Sequence, residues 1–180
     1  DMVRIHLQTA PDLSRFHTKF AVQLNDTHPA LAVAELMRIL IDNHNLDWDE
    51  AWKITKDCIG YTNHTLLPEA LECWPLDLFR RLLPRHLEII YEINQRFLDE
   101  VRHQFPGDAE LVKRMSLIDE TGGRRVRMAN LAIVGSHAVN GVSRIHTELM
   151  KETIFADFER FSPGKIINIH HAFLPAFIGA

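Results

Sequence analysis

The sequence lacks most of what would assign it a chemistry at once. It has two cysteines in 180 residues, Cys58 and Cys73, and no Cys-x-x-Cys pair. That excludes a disulfide framework and reads as reduced thiols in a cytoplasmic protein. Histidines are present, but His28, His64 and the pair His170–His171 match no HExxH or Cys/His spacing, so no metal site is expected. "GSHAVNG" is not GxGxxG, and neither GxSxG nor a Walker A loop occurs. A dinucleotide site, a self-contained hydrolase and a nucleotidase therefore lack support. No apolar run is long enough to span a bilayer. The opening "DMVRIHLQTAPDLSRF" has no continuous apolar stretch and is no signal peptide. It also lacks an initiator Met, as expected of a chain that begins inside a longer one. A net charge of −4 gives no reason to expect a nucleic-acid partner.

What is present suits a soluble globular domain, or a piece of a larger one. The hydrophobic fraction is 46% and the charged fraction 24%, both ordinary. The pattern is mostly helical. A short strand is expected over Phe20–Leu24. A helix follows from Pro29 to about Asn43, with Leu31, Ala34, Leu36, Met37, Leu40 and Ile41 at helical spacing. Leu46–Lys56 reads as a second helix, capped by Asp47 and ended by Gly60. A further helix is expected to start near Thr65–Glu69, and a short one over Pro75–Leu83. Pro84 opens the longest, whose stripe of Leu87, Ile90, Phe97, Val101 and Phe105 faces a core until Pro106–Gly107 stops it. "GGRRVR", Gly122–Arg127, reads as a solvated hairpin or loop. The continuous apolar run Leu131–Val134 reads as a buried strand, and "HAVNGVSRIHTELMKE" as the helix after it. "PGKIINI" reads as a last strand.

Two polar clusters stand out. "QLNDTHP", Gln23–Pro29, follows an apolar strand and precedes a helix. Asn25, Asp26 or Thr27 can cap that helix, with Pro29 in its first turn. The competing reading is a ligand site at the carboxyl end of a strand, where open α/β sheets bind ligands. Local evidence favours the cap. "YTNHT", Tyr61–Thr65, puts an aromatic, an amide and an imidazole in five residues. Turn chemistry explains Asn63 and Thr65 better than it explains His64. Two clusters mixing imidazole, amide and hydroxyl groups suit a sugar pocket, because sugar hydroxyls both donate and accept.

Those residues also carry a resemblance. "AVQLNDTHPALAVAELMRILID", "YTNHTLLPEALECWPLDLFRRLLPRHLEIIYEINQRF", "FPGD", "RMSLIDE" and "RMANLAIVGSHAVNGVSRIHTELMK" resemble the α-glucan phosphorylase family, and its animal-type members most. The likeness runs from about Lys19 to Ile169. It implies an α/β fold, the mainly helical part of one of two Rossmann-like domains flanking a catalytic cleft. It implies phosphorolysis of terminal α-1,4 bonds of glycogen or starch by inorganic phosphate, releasing glucose 1-phosphate, with glycogen or maltooligosaccharide as partners. It also implies pyridoxal 5'-phosphate on a lysine, a cytoplasmic homodimeric parent, and no nucleic-acid or membrane partner.

By the same resemblance, Asp26 and His28 lie along the cleft, leaving Thr27 or Asn25 free to cap. His64 contacts the glucose 6-hydroxyl, and Val142 lines the apolar side of that pocket. Glu88, Tyr91, Asn94 and Arg96, with Glu120 and Arg124, resemble a surface site that stores glycogen away from the cleft. Residues 88, 91 and 95 fall near one helix face, with 94 beside them. Read without the resemblance, that face is an ordinary polar helix surface.

The chain also departs from the family. Where "TNGITPRRW" is expected after "KIINI", it reads "HHAFLPAFIGA". Residues 170–180 thus read as a tail foreign to the family domain of 1–169. The cofactor lysine, the phosphate-binding residues and the second domain are absent. The isolated chain is accordingly expected to be inactive. A weak carbohydrate-binding module and a fragment unable to fold alone are the alternatives.

Overall fold

The fold is that of a computed structural model, and it describes residues 1–169. The tail expected from His170 lies outside the described residues. Helix α1 (Met2–Thr9) and a 3-10 segment (Leu13–Thr18) lead into strand β1 (Val22–Asn25). Helix α2 (Ala32–Arg38) widens into a π turn over Ile39–Asn43. Helix α3 (Trp48–Cys58) is capped by Asp47, whose carboxylate accepts the Glu50 N–H at 2.9 Å. Strand β2 (Ile59–Thr62) follows at once, so Gly60 lies inside a strand and does not end the helix. A single 3-10 turn, Pro68–Ala70, stands where a helix start was expected.

Strand β3 (Cys73–Pro75) and helix α4 (Leu76–Leu82) precede α5 (Pro84–Gln104). Pro84 opens α5 because its missing N–H is one the first turn leaves unused anyway. Leu87, Ile90, Phe97 and Val101 are buried as the stripe requires. Helix α6 (Ala109–Met115) leads to β4 (Ile118–Asp119) and β5 (Arg125–Arg127). These pair antiparallel with β3 in a three-stranded sheet, order β3-β5-β4, so "GGRRVR" is partly strand.

The next stretch differs from the sequence expectation. Residues Met128–Val134 form helix α7, and all seven are buried. A helix that is apolar on every side shows no periodicity, so its run of Leu131–Val134 mimics a buried strand. The strand is instead β6 (Ala138–Gly141), inside the segment expected to be helical. Helix α8 begins only at Arg144 and runs to Glu152, capped by Ser143. Helix α9 (Ala156–Phe161) and β7 (Ile166–Asn168) complete the described chain.

Strands β1, β2, β6 and β7 form one parallel sheet in that order. Leu24, Tyr61, Val139 and Ile166 share a register row and are fully buried on one face. Helix α8 packs on that face, so closely that a Cβ on Gly141 would lie 2.5 Å from Thr147 Oγ1. Asn25, Thr62, Asn140 and Ile167 form the corresponding row on the other face. An α/β chain with a parallel sheet is thus what the residues build.

Candidate functional site

The carboxyl ends of the parallel strands carry the polar clusters. At Asp26 the chain leaves β1 with φ +64°, a left-handed conformation that Asp and Asn tolerate better than most residues. Its own carboxylate accepts the Thr27 N–H at 2.6 Å. Its N–H donates to the Thr62 carbonyl at 2.9 Å, extending the ladder one step past the strand. On β2, Asn63 N–H similarly donates to the Asn140 carbonyl at 2.9 Å.

The capping expectation fails here. Helix α2 has no side-chain cap. Thr27 Oγ1 donates instead to Glu72 Oε2 at 2.5 Å, and Asn25 Oδ1 is bonded to His64 Nε2 at 2.7 Å. These side chains are drawn across the strand ends by long-range partners, which a local reading does not contain.

Asp26, His28 and His64 therefore follow the carboxyl ends of two neighbouring strands of one sheet. Glu72 links two of the cluster's residues, because the Oε2 that accepts from Thr27 also lies 3.2 Å from His28 Nδ1. Behind them runs an amide–hydroxyl network on the sheet face. Gln23 Nε2 donates to Thr62 Oγ1 at 2.9 Å and to Asn140 Oδ1 at 3.3 Å. Thr62 Oγ1 donates to Asn140 Oδ1 at 2.9 Å. Neutral groups bonded this way hold three strand ends in register without a buried charge.

Val142 follows β6, and its N–H points to His146 Nδ1 at 3.4 Å. Burial, with the nearby His64 imidazole, lowers the His146 pKa. Burial also holds the Tyr61 phenol well above its ordinary pKa, while Asn63 Nδ2 donates to it at 3.1 Å.

Gln23, Thr62, Glu72, Asn140 and His146 were not anticipated. Gln23 and Thr62 lay inside the two polar clusters without a role of their own, and Asn140 was hidden by reading β6 as helix.

The residues resembling a glycogen-storage surface lie elsewhere, along α5. Tyr91 is 39% exposed. Asn94, one turn on, accepts the Leu117 N–H at 2.8 Å and donates to Ser116 Oγ at 3.2 Å, tying the start of β4 to the helix. Glu120 and Arg124 form an ion pair at 3.4 Å across the β4–β5 turn. Glu88 accepts from Arg85 at 2.9 Å. Arg96 lies on the other flank, donating to Glu92 and Asp49 with its guanidinium over the Trp48 ring. The structure thus brings the β4–β5 hairpin to the Asn94 side and Arg96 to α3.

A model of the Phosphorylase family, described as carbohydrate phosphorylase, matches residues 1–172. The chain belongs to that family. It is 61% identical over 93% of its length to the glycogen phosphorylase of Synechocystis. It is 55% identical over 97% of its length to the brain form of Rattus norvegicus and the muscle form of Oryctolagus cuniculus. The higher cyanobacterial identity corrects the expectation of a special likeness to animal-type members. The chain spans about a fifth of the length of these phosphorylases. Among the described residues no helix is long and apolar enough to cross a membrane, and no cluster of three or more His, Cys, Asp or Glu could hold a metal.

Proposed function

We propose that this chain forms one wall of the catalytic cleft of an α-1,4-glucan phosphorylase, within a Rossmann-like domain of a two-domain, cytoplasmic and homodimeric parent. The parent cleaves terminal bonds of glycogen or maltooligosaccharide with inorganic phosphate, and this wall positions the transferred glucosyl unit. One observation carries the reading: the His64 ring is bonded to Asn25 at the carboxyl ends of two neighbouring parallel strands, in a chain of this family. Open α/β sheets place ligands at such strand ends.

In this reading His64, oriented by Asn25, meets a sugar hydroxyl, and Val142 packs against the ring. Asp26 and His28 line the cleft, with Glu72 fixing the His28 imidazole. Their work is orientation, which alone accounts for several kcal/mol of a barrier. The outer face of α5, with Tyr91, Asn94 and Glu88, and the Glu120–Arg124 turn, would hold a glucan strand away from the cleft, Arg96 flanking it. An exposed tyrosine among amides and carboxylates offers both stacking and hydroxyl partners.

The family's pyridoxal phosphate does not fit the strand-end residues described here. The side chains bonded together there are amides, carboxylates, hydroxyls and imidazoles, with no ammonium for its aldehyde or its phosphate. No step of this chain's chemistry is routed through it.

The test is an exchange. This segment replaces its counterpart in the Synechocystis phosphorylase, and glucose 1-phosphate release from glycogen is measured. Activity is expected in the chimera, with kcat/KM falling about tenfold for each hydrogen bond lost, near 1.4 kcal/mol, on His64→Ala. The isolated chain is expected to release none. A fully active His64→Ala chimera would overturn the reading.

A further inference from the structure

At the amino ends of the same strands, opposite His64, lies a second feature. Lys56 lies in the last turn of α3, before β2, and Lys165 stands just before β7. Both line a cavity of about 260 Å³ whose walls include Trp48 and Trp52 from α3 and Arg96 and Glu100 from α5. Trp48, Trp52 and Lys56 recur every four residues and so share one face of α3.

The cavity lining carries three cations, Lys56, Arg96 and Lys165, and two carboxylates, Asp49 and Glu100. The Lys56 ammonium sits 5.6 Å from the centre of the Trp52 ring, and the Arg96 guanidinium 5.2 Å from that of Trp48. Arg96 is matched by Glu92 and Asp49. Among the described residues, neither Lys56 nor Lys165 has a carboxylate within the 4.0 Å of an ion pair. Burial, and then the neighbouring Lys56, push the Lys165 amine down to about 8, against a weaker pull from Glu100. Two lysines that line one cavity, neither of them in an ion pair, offer a place for an anion.

We propose that this cavity binds a phosphorylated monosaccharide. The phosphate would bridge the Lys56 and Lys165 ammonium groups. Indole faces suit the C–H face of a sugar ring, and the Glu100 carboxylate can accept from its hydroxyls. The volume lies just under the roughly 300–1,000 Å³ of sites for drug-sized ligands, so it suits one ring and not an oligosaccharide. This site is independent of the glucosyl-positioning role given to His64.

Tryptophan fluorescence of the chain tests it. Glucose 1-phosphate, glucose 6-phosphate, glucose and inorganic phosphate are titrated at constant ionic strength. A saturable change is expected with at least one sugar phosphate, at least tenfold tighter than with glucose or inorganic phosphate. Lys165→Met and Lys56→Met should each weaken it tenfold or more, with an unchanged circular dichroism spectrum. The melting temperature should hold or rise with Lys165→Met, since a half-buried charge outside any ion pair is removed. His64→Ala should leave the titration unchanged. If Lys165→Met does not fold, Lys56→Met decides. Absence of saturation, equal binding of inorganic phosphate, or a response lost with His64→Ala and kept in the lysine variants would overturn the proposal.

Discussion

Gly135→Ala is expected to destabilise the chain by about 1–3 kcal/mol, the usual range for overpacking a full core. Gly135 follows α7 with φ −81° and ψ 0°, a conformation open to alanine, so the cost is steric and not backbone strain. A Cβ there would meet the Val33 side chain of α2, with Cγ2 at 2.6 Å and Cγ1 closer still. Val33 is fully buried, and a β-branched residue on a helix has essentially one χ1 rotamer, so it cannot turn away. Val33→Ala alone removes two buried methyl carbons, worth about 0.8 kcal/mol each before a cavity penalty, or roughly 2 kcal/mol in all. In the double variant the new methyl enters the space the valine leaves. The two costs should then fall short of their sum by about 1–2 kcal/mol. Urea unfolding of all four proteins, followed by circular dichroism, gives the four free energies. Additive costs, or a Gly135→Ala variant as stable as the parent, would refute the close approach of α7 and α2.

Asp119 gives a pH signature. Burial raises its carboxyl pKa, but bonds from the Thr121 hydroxyl and N–H, with Arg125 and Arg127, outweigh that and bring it to about 2. The folded value lies below the unfolded one, so this stabilisation is present above about pH 4 and lost as pH falls toward 2. Asp119→Asn should flatten that part of a plot of urea midpoint against pH. Asn94→Ala leaves the Leu117 N–H and the Ser116 hydroxyl without their partner and should cost about 1–3 kcal/mol in chemical denaturation. Asp47→Ala removes the α3 cap and should cost about 1 kcal/mol, seen as a lower melting temperature, with Asp47→Ser restoring most of it.

Helices α2 to α5 were legible because their signals are local, whereas α1, α6 and α9 were not anticipated and α7 was taken for a strand. Pro84 and Pro106–Gly107 bound α5, its apolar stripe is the buried one, and Asp47 caps α3, all within a few residues of chain. Strand β1 was legible from a short apolar run ahead of polar residues. The polar clusters at Gln23–Pro29 and Tyr61–Thr65 were visible as clusters, but their bonding was not. Asn25 looked free to cap α2, and it binds a histidine 39 residues away.

By itself, then, the sequence determined the helices that carry their own start, stop and amphipathic stripe, and it marked which residues were chemically unusual. Tertiary structure decided the rest. "MANLAIV" is helical because α7 is enclosed on all sides, and "AVNG" is a strand because β2 and β7 supply its hydrogen bonds. A helix closes its bonds within four residues of chain, whereas a four-residue strand has none until distant partners arrive. The meeting of Gln23, Thr62 and Asn140, and the placing of Lys56 and Lys165 on one cavity, follow from that pairing and from nothing nearer in sequence.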